Sequence, residues 1–226
     1  MGIGSAPPRS VGLLGGSFNP AHAGHRHVSL EALKRLKLDQ IWWLVAEQNP
    51  LKPVKGMTAL PRRLKSARDF ADHPRIRVFD LETKLGTRYT RDTVKALTAL
   101  FPKTRFVWLM GADNLAQIRH WRRWPDIFKT LPVAVLARPA YCRRALAELA
   151  AQRFANRRVP AGKAGGLKYM APPAWTFLWA RLDPSSASDL RAAPKTKPAR
   201  RKLKAKTKRS VRKAKPARRS ARKPRR

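Results

Sequence analysis

The sequence predicts an α/β fold, a Rossmann-like doubly wound parallel sheet, and three observations carry that prediction. Short apolar runs recur along the chain, helix-length amphipathic segments separate them, and several runs are apolar at nearly every position. A strand apolar at every position is buried on both faces, as in a parallel sheet covered by helices. Alternation of such strands with helices gives the doubly wound class.

The first apolar run, 11–14, is followed by a helical segment at 25–36. The second, 41–46, precedes a helix at 60–70, and the third, 76–79, precedes one at 90–100. The fourth, 106–110, leads into a helix at 114–118, and the fifth, 133–137, into one at 143–154. Residues 157–173 hold several Gly and Pro and read as an irregular loop before a last strand at 175–180. No repeat of domain scale is visible.

The chain of 226 residues is long enough for one domain and an appendage, and a hydrophobic fraction of 43% supports a core. The net charge of +38 is unevenly placed: residues 192–226 hold 18 Lys or Arg and no Asp or Glu, which leaves +20 for residues 1–191. A basic body suits polyanionic ligands such as nucleotides and pyrophosphate. The last 35 residues have almost no large apolar side chain and are expected to be disordered. They lack the interleaved aromatics of a single-strand binder and any groove-reading motif. They read as an accessory tether, with non-specific nucleic acid as a candidate partner. The expected organisation is a flexible leader at 1–9, a folded domain at 10–191 and a basic tail at 192–226. One cysteine, Cys142, excludes an intrachain disulfide framework and fits a reducing compartment. The N-terminal sequence lacks a signal-peptide apolar region, and no run approaches the roughly 18 apolar residues of a membrane helix. A soluble cytoplasmic protein is expected.

The chemistry is concentrated where the first strand ends, in Gly15-Gly16-Ser17-Phe18-Asn19-Pro20-Ala21-His22-Ala23-Gly24-His25. Two glycines after a buried strand let the backbone turn tightly and let a ligand approach the main chain. The next helix opens near Gly24 and His25, and its free N–H groups favour phosphate. His22 and His25, three apart, can each donate a hydrogen bond to a phosphoryl oxygen. No P-loop lysine follows and the G-x-G-x-x-G fingerprint is absent, so this phosphate cradle is of another kind.

The string resembles the G-x-F-x-P-x-H-x-G-H signature of the nucleotidyltransferase superfamily, matched at Gly16, Phe18, Pro20, His22, Gly24 and His25. Further segments narrow the resemblance: Asn49-Pro50-Leu51-Lys52, Thr87-Arg88-Tyr89-Thr90, Gly111-Ala112-Asp113-Asn114-Leu115 with Trp121 and Trp124, and Arg138-Pro139. Together they look like bacterial nicotinate mononucleotide adenylyltransferase, over nearly all of residues 10–191. Each segment lies at the carboxyl end of a predicted strand, where an open α/β sheet binds its ligands. The resemblance implies an ATP site at Gly15, Gly16, Ser17 and Phe18, with His22 and His25 on the phosphates and Asp113 on the adenosine ribose. It implies a mononucleotide site at Asn49, Lys52, Thr90, Trp121 and Arg138. Thr90 would receive the nicotinate carboxylate through backbone N–H groups, and Trp121 would stack on the pyridine ring. The closing motif Ser-Ser-Thr-x-Ile-Arg is altered here to Ser186-Ala187-Ser188-Asp189-Leu190-Arg191, whose hydroxyls and guanidinium would hold the outer phosphates. Structural alternatives stand beside these roles: Asp113 or Thr90 as helix starts, Trp121 and Trp124 as core, Lys52 and Arg138 as solvated charges.

The implied reaction joins the AMP part of ATP to nicotinate mononucleotide and releases pyrophosphate, in NAD biosynthesis. Mg²⁺ would escort the triphosphate, held by phosphates and water; no protein metal ligand is assigned. Two other readings remain open: a sister adenylyltransferase acting on nicotinamide mononucleotide, phosphopantetheine or FMN, and a nucleic-acid-binding protein acting through its basic tail.

Overall fold

In the computed structural model the described residues are 9–48, 56–137 and 141–179. All of them lie in the first of two units, residues 1–193. Seven strands form one sheet: β1 (Ser10–Gly16), β2 (Gln40–Val45), β3 (Ile76–Phe79), β4 (Arg105–Gly111), β5 (Val133–Leu136), β6 (Arg158–Val159) and β7 (Trp175–Leu178). Their order is β3-β2-β1-β4-β5-β7-β6, and every pairing is parallel. The chain builds outward from β1 to β3, returns to place β4 against β1, and builds outward the other way. The direction therefore reverses between β1 and β4, which is where a doubly wound sheet opens its ligand crevice.

Among the described residues eight α-helices flank the sheet: α1 (Ala23–Arg35), α2 (Leu60–Ala71), α3 (Leu81–Lys84), α4 (Thr90–Leu100), α5 (Ala112–Gln117), α6 (Trp124–Thr130), α7 (Cys142–Ala147) and α8 (Leu149–Arg153). Alternate strand residues divide the core in two. Leu14, Ile41, Trp43, Val107, Leu109 and Leu136 pack beneath α1, α2 and the 3₁₀ turns of Ala161–Tyr169. Leu13, Trp42, Trp108, Met110, Val135 and Phe177 pack beneath α4 to α8. Both faces are thus covered, which explains why these strands read as continuous apolar runs.

The expected strands and helices are present, with differences that have local causes. The irregular loop at 157–173 contains β6 and a run of 3₁₀ turns. The single helix expected at 143–154 is two, because Glu148 adopts extended backbone (φ −78°, ψ 157°) while its carboxylate meets Arg144 and Arg119. The helix α6 was absent from the sequence reading, although Pro125 lies in its first turn, where proline favours a start. Backbone pairing begins one residue before the expected leader boundary, since Arg9 accepts from the Arg105 N–H at 2.9 Å. The rest of the leader and the whole basic tail lie outside the described residues.

Candidate active site

The site is built at the carboxyl ends of β1 and β4. β1 ends in Gly15 and Gly16, and Gly15 is needed for its lack of a side chain. A Cβ there would fall 2.6 Å from Cη2 of Trp108 on β4. Two residues later Phe18 takes a left-handed backbone (φ 45°), which a bulky residue adopts only when its surroundings compel it. Its ring is 1% exposed and stacks on Trp43 at 4.9 Å, with His25 on another side at 4.6 Å. Asn19 fastens the loop further: its amide donates to the Gly56 carbonyl and its Oδ1 accepts from the Thr58 N–H.

His22 and His25 form the entrance of α1. His22 is the N-cap, 2% exposed, and its Nδ1 accepts from the Gly24 N–H at 3.2 Å. His25, half-buried, returns the favour: its Nδ1 accepts from the His22 N–H at 3.3 Å. The ring centroids are 3.9 Å apart. This reciprocal cap replaces the usual Ser and Glu pair with two imidazoles. Because both Nδ1 atoms accept, the neutral rings must carry their proton on Nε2. The cap therefore sets the tautomer of both histidines and makes Nε2–H the donor. Behind them, the indole N–H of Trp43 donates to Ser29 Oγ at 2.7 Å, and Ser29 in turn donates to the His25 carbonyl at 2.8 Å. That chain latches α1 to β2.

One residue that sequence reasoning missed anchors this loop from below. Arg63 on α2 is 3% exposed. Its Nε donates to the Thr58 carbonyl, one terminal nitrogen to the carbonyls of Ser17 and Ala46, and the other to that of Glu47, all at 2.6 to 2.8 Å. Burial lowers the pKa of the guanidinium, and Glu47 opposes that. The signal was a cation within the buried stripe Arg63, Leu64, Ala67 and Ala71 of α2. Glu82 on α3 was also missed. Burial, then the charge of Glu47, pushes its carboxyl up to about 7. Its backbone carbonyl accepts from the Thr87 N–H at 2.9 Å, which shapes the approach to α4.

Across the crevice, Gly111 caps α5, and Asp113 lies half-buried in the first turn. The carboxylate is therefore near the positive end of a helix without itself being the cap. Thr90 is the first residue of α4, behind the N-cap Tyr89. Arg91 joins this turn to α6 by pairing with Asp92 at 2.5 Å and Asp126 at 3.3 Å. The Arg122 guanidinium lies 4.7 Å above the Tyr89 ring. Trp121 is half-buried, its ring edge-on to Trp108 at 6.5 Å. Trp124 is core, 7% exposed between Phe128 and Phe154.

Gly15, Gly16, Ser17, Phe18, His22 and His25 thus lie where β1 passes into α1, Asp113 lies where β4 passes into α5, Thr90 opens α4, and Trp121 packs on Trp108 of β4. Asn49, Lys52, Arg138, Ser186, Ser188 and Arg191 lie outside the described residues. Among the described residues no three His, Cys, Asp or Glu stand together as a metal cage, and no helix is long and apolar enough to cross a membrane.

Residues 13–193 match the family model described as cytidylyltransferase-like. A protein of Cereibacter sphaeroides named "Probable nicotinate-nucleotide adenylyltransferase" is 52% identical over 182 residues, covering 80% of this chain and 96% of its own. A protein of Parvibaculum lavamentivorans with the same name is 51% identical over 185 residues, covering 82% and 92%. Among solved structures, the Plasmodium falciparum nicotinic acid mononucleotide adenylyltransferase complexed with NaAD has the same fold, with a TM-score of 0.61 at 17% identity over 81% of this chain and 83% of that one. The chain belongs to the cytidylyltransferase-like family, among the relatives that bear the name nicotinate-nucleotide adenylyltransferase.

Proposed function

We propose that the protein transfers the adenylyl group of ATP to nicotinate mononucleotide, forming nicotinate adenine dinucleotide and pyrophosphate in NAD biosynthesis. The observation that carries this reading is the reciprocal His22–His25 cap at the mouth of α1, in a chain about half identical to relatives of that name. A 5′-phosphate oxygen of the mononucleotide attacks the α-phosphorus of ATP in line. The new P–O bond forms as the bond to the bridging oxygen of the β-phosphate breaks, and pyrophosphate leaves with that electron pair. No covalent enzyme intermediate is needed, so catalysis is positioning and charge stabilisation.

In this reading His25 stabilises the charge growing at the α-phosphate, and His22 donates to neighbouring phosphate oxygens, both through Nε2–H. The backbone of Gly15 to Phe18 lines the nucleotide cleft, and Asp113 accepts from the ribose hydroxyls. The N–H groups around Thr90 receive the nicotinate carboxylate, and Trp121 stacks on the pyridine ring. Asn49, Lys52 and Arg138 complete the mononucleotide subsite, and Ser186, Ser188 and Arg191 hold the outer phosphates. Mg²⁺ would escort the triphosphate, held by phosphate and water ligands, with no side chain of this chain assigned to it. Nucleotide substrates and a single cysteine agree with a cytoplasmic enzyme. Residues 192–226 act as a separate cationic tether for polyanions.

The test is pyrophosphate release by purified protein with ATP, Mg²⁺ and each acceptor in turn. Nicotinate mononucleotide should give the highest kcat/KM. Preferred turnover of nicotinamide mononucleotide or phosphopantetheine would reassign the acceptor, and no release with any of them would remove the adenylyltransferase reading.

A further inference from the structure

We infer that Arg63 is a positioning residue, a buried clamp that fixes the direction of the backbone N–H groups in the nucleotide loop and ties that loop to the end of β2. β1 and β2 are hydrogen-bonded to each other up to the Ala46 N–H, which donates to Gly16 at 2.9 Å. Beyond that pair the strands diverge, and the carbonyls of Ser17, Ala46 and Glu47 have left the ladder. Buried carbonyls need donors. Arg63 supplies them from one planar group, with the Thr58 carbonyl on its Nε. A guanidinium is the side chain suited to the task, because its five N–H groups form a fixed fork.

The consequence for the loop follows from peptide geometry. The Ser17–Phe18 peptide is trans, so its C=O and N–H point in nearly opposite directions. Holding the Ser17 oxygen on Arg63 turns the Phe18 N–H away from α2. The same argument turns the Glu47 and Gln48 N–H groups away from the guanidinium. Phe18 is in the left-handed region, a conformation that costs energy for a residue with this side chain. Two holds keep it there: the ring packed on Trp43 and His25, and the carbonyl before it clamped by Arg63. The oxygens Arg63 grips belong to the backbone, so its effect on ligands passes entirely through main-chain orientation.

This inference rests on the adenylyltransferase reading, in which the loop holds ATP. The experiment compares the full-length wild type with Arg63→Lys and Arg63→Ala, each assayed below its own melting temperature. ATP affinity is measured by calorimetry beside turnover with nicotinate mononucleotide. Lysine keeps the charge but offers its donors from one point, so Arg63→Lys should lose on the order of 10²-fold in kcat, the scale of a misplacement near 1 Å. Its ATP affinity should fall about tenfold. Arg63→Ala should lose at least as much, and guanidinium chloride at tens of millimolar should restore kcat about tenfold where equal urea or sodium chloride does not. If Arg63→Ala does not fold, Arg63→Lys decides alone. Full kcat and ATP affinity in Arg63→Lys with only a lower melting temperature would overturn the clamp, as would guanidinium that raises the melting temperature of Arg63→Ala without raising kcat. A wild type that binds ATP but turns over no pyridine mononucleotide would sink the acceptor assignment, while the ATP-affinity comparison would still judge Arg63.

Discussion

The two junctions that face each other across the crevice are held in contrasting ways. The β1–α1 junction is fastened by directed hydrogen bonds: the reciprocal histidine cap, the Asn19 amide and the four carbonyls on Arg63. The β4–α5 junction and its continuation lean mainly on aromatic packing, with Trp121 edge-on to Trp108 and Trp124 sunk between Phe128 and Phe154, beside the ion pairs that Asp126 makes with Arg91 and Arg123. A phosphate must be met by donors at fixed angles, and only a wall whose polar groups are themselves bonded can keep such angles. A pyridine ring asks for a flat apolar face, which packing alone provides. The difference predicts that substitutions on the first junction change rate and those on the second change affinity.

The largest effect is expected at His25. If His25 donates to the reacting phosphate as proposed, its replacement by alanine should lower kcat on the order of 10²–10³-fold. ATP binding should weaken far less, and the fold should survive, with the lost cap and the lost contact to Phe18 lowering the melting temperature by a few degrees. Steady-state kinetics with both substrates varied measures this, and near-normal turnover would strip His25 of its role.

Next in size is a stability effect on the same side of the crevice. The Glu82 carboxyl titrates at about 7 against an ordinary 4.5, raised by burial first and by Glu47 second. The folded protein therefore holds this proton more tightly than the unfolded chain. Stability from this group falls as pH rises from about 4.5 to about 7, and stays at the lower level above that. Glu82→Gln removes the loss. At pH 8 the variant should be more stable by about 1–3 kcal/mol, and below about pH 4.5 the two proteins should converge. Parallel melts across pH 4 to pH 8 check it, and two curves offset by a constant amount would contradict it.

A smaller effect probes the packed junction. Trp121→Ala should raise KM for the mononucleotide several-fold, consistent with stacking worth about 0.5–1.5 kcal/mol, and leave KM for ATP within about twofold. Equal losses for both substrates together with a lower melting temperature would make Trp121 a core residue, and the contrast between the junctions would blur. The smallest catalytic effect is expected from removing residues 192–226, which should leave kcat unchanged. Non-specific DNA binding should fall, along with its steep salt dependence. A truncated chain that loses activity at low salt would place the tail within the site.

The sheet and the first junction were legible in the sequence for physical reasons. Strands buried on both faces cannot hide their apolar runs, and a tight turn closed by a reciprocal histidine cap must spell out its glycines and histidines. What stayed hidden works through the main chain or over few residues. Arg63 grips carbonyls, which every residue owns, so no partner in the sequence announces it. α3 has four residues and β6 two, too short for any period to show. The break at Glu148 lies within an apolar pattern, Ala145, Ala150, Ala151 and Phe154, that runs straight across it. The sequence offers Asp113 as a cap ahead of a helix at 114–118, whereas the helix starts two residues earlier, with Gly111 as the cap and Asp113 inside the first turn.

Gly15 and Trp108 finally bear on how this sequence can vary. The indole of Trp108 lies where a methyl group on residue 15 would have to be, and it also forms the surface against which Trp121 rests. The two positions are therefore one unit of shape, divided between strands 93 positions apart. Any lineage that gains a side chain at position 15 must accept a smaller ring or none at position 108, and with it a looser seat for Trp121. Drift in the two positions should be correlated, and the correlation should extend to 121.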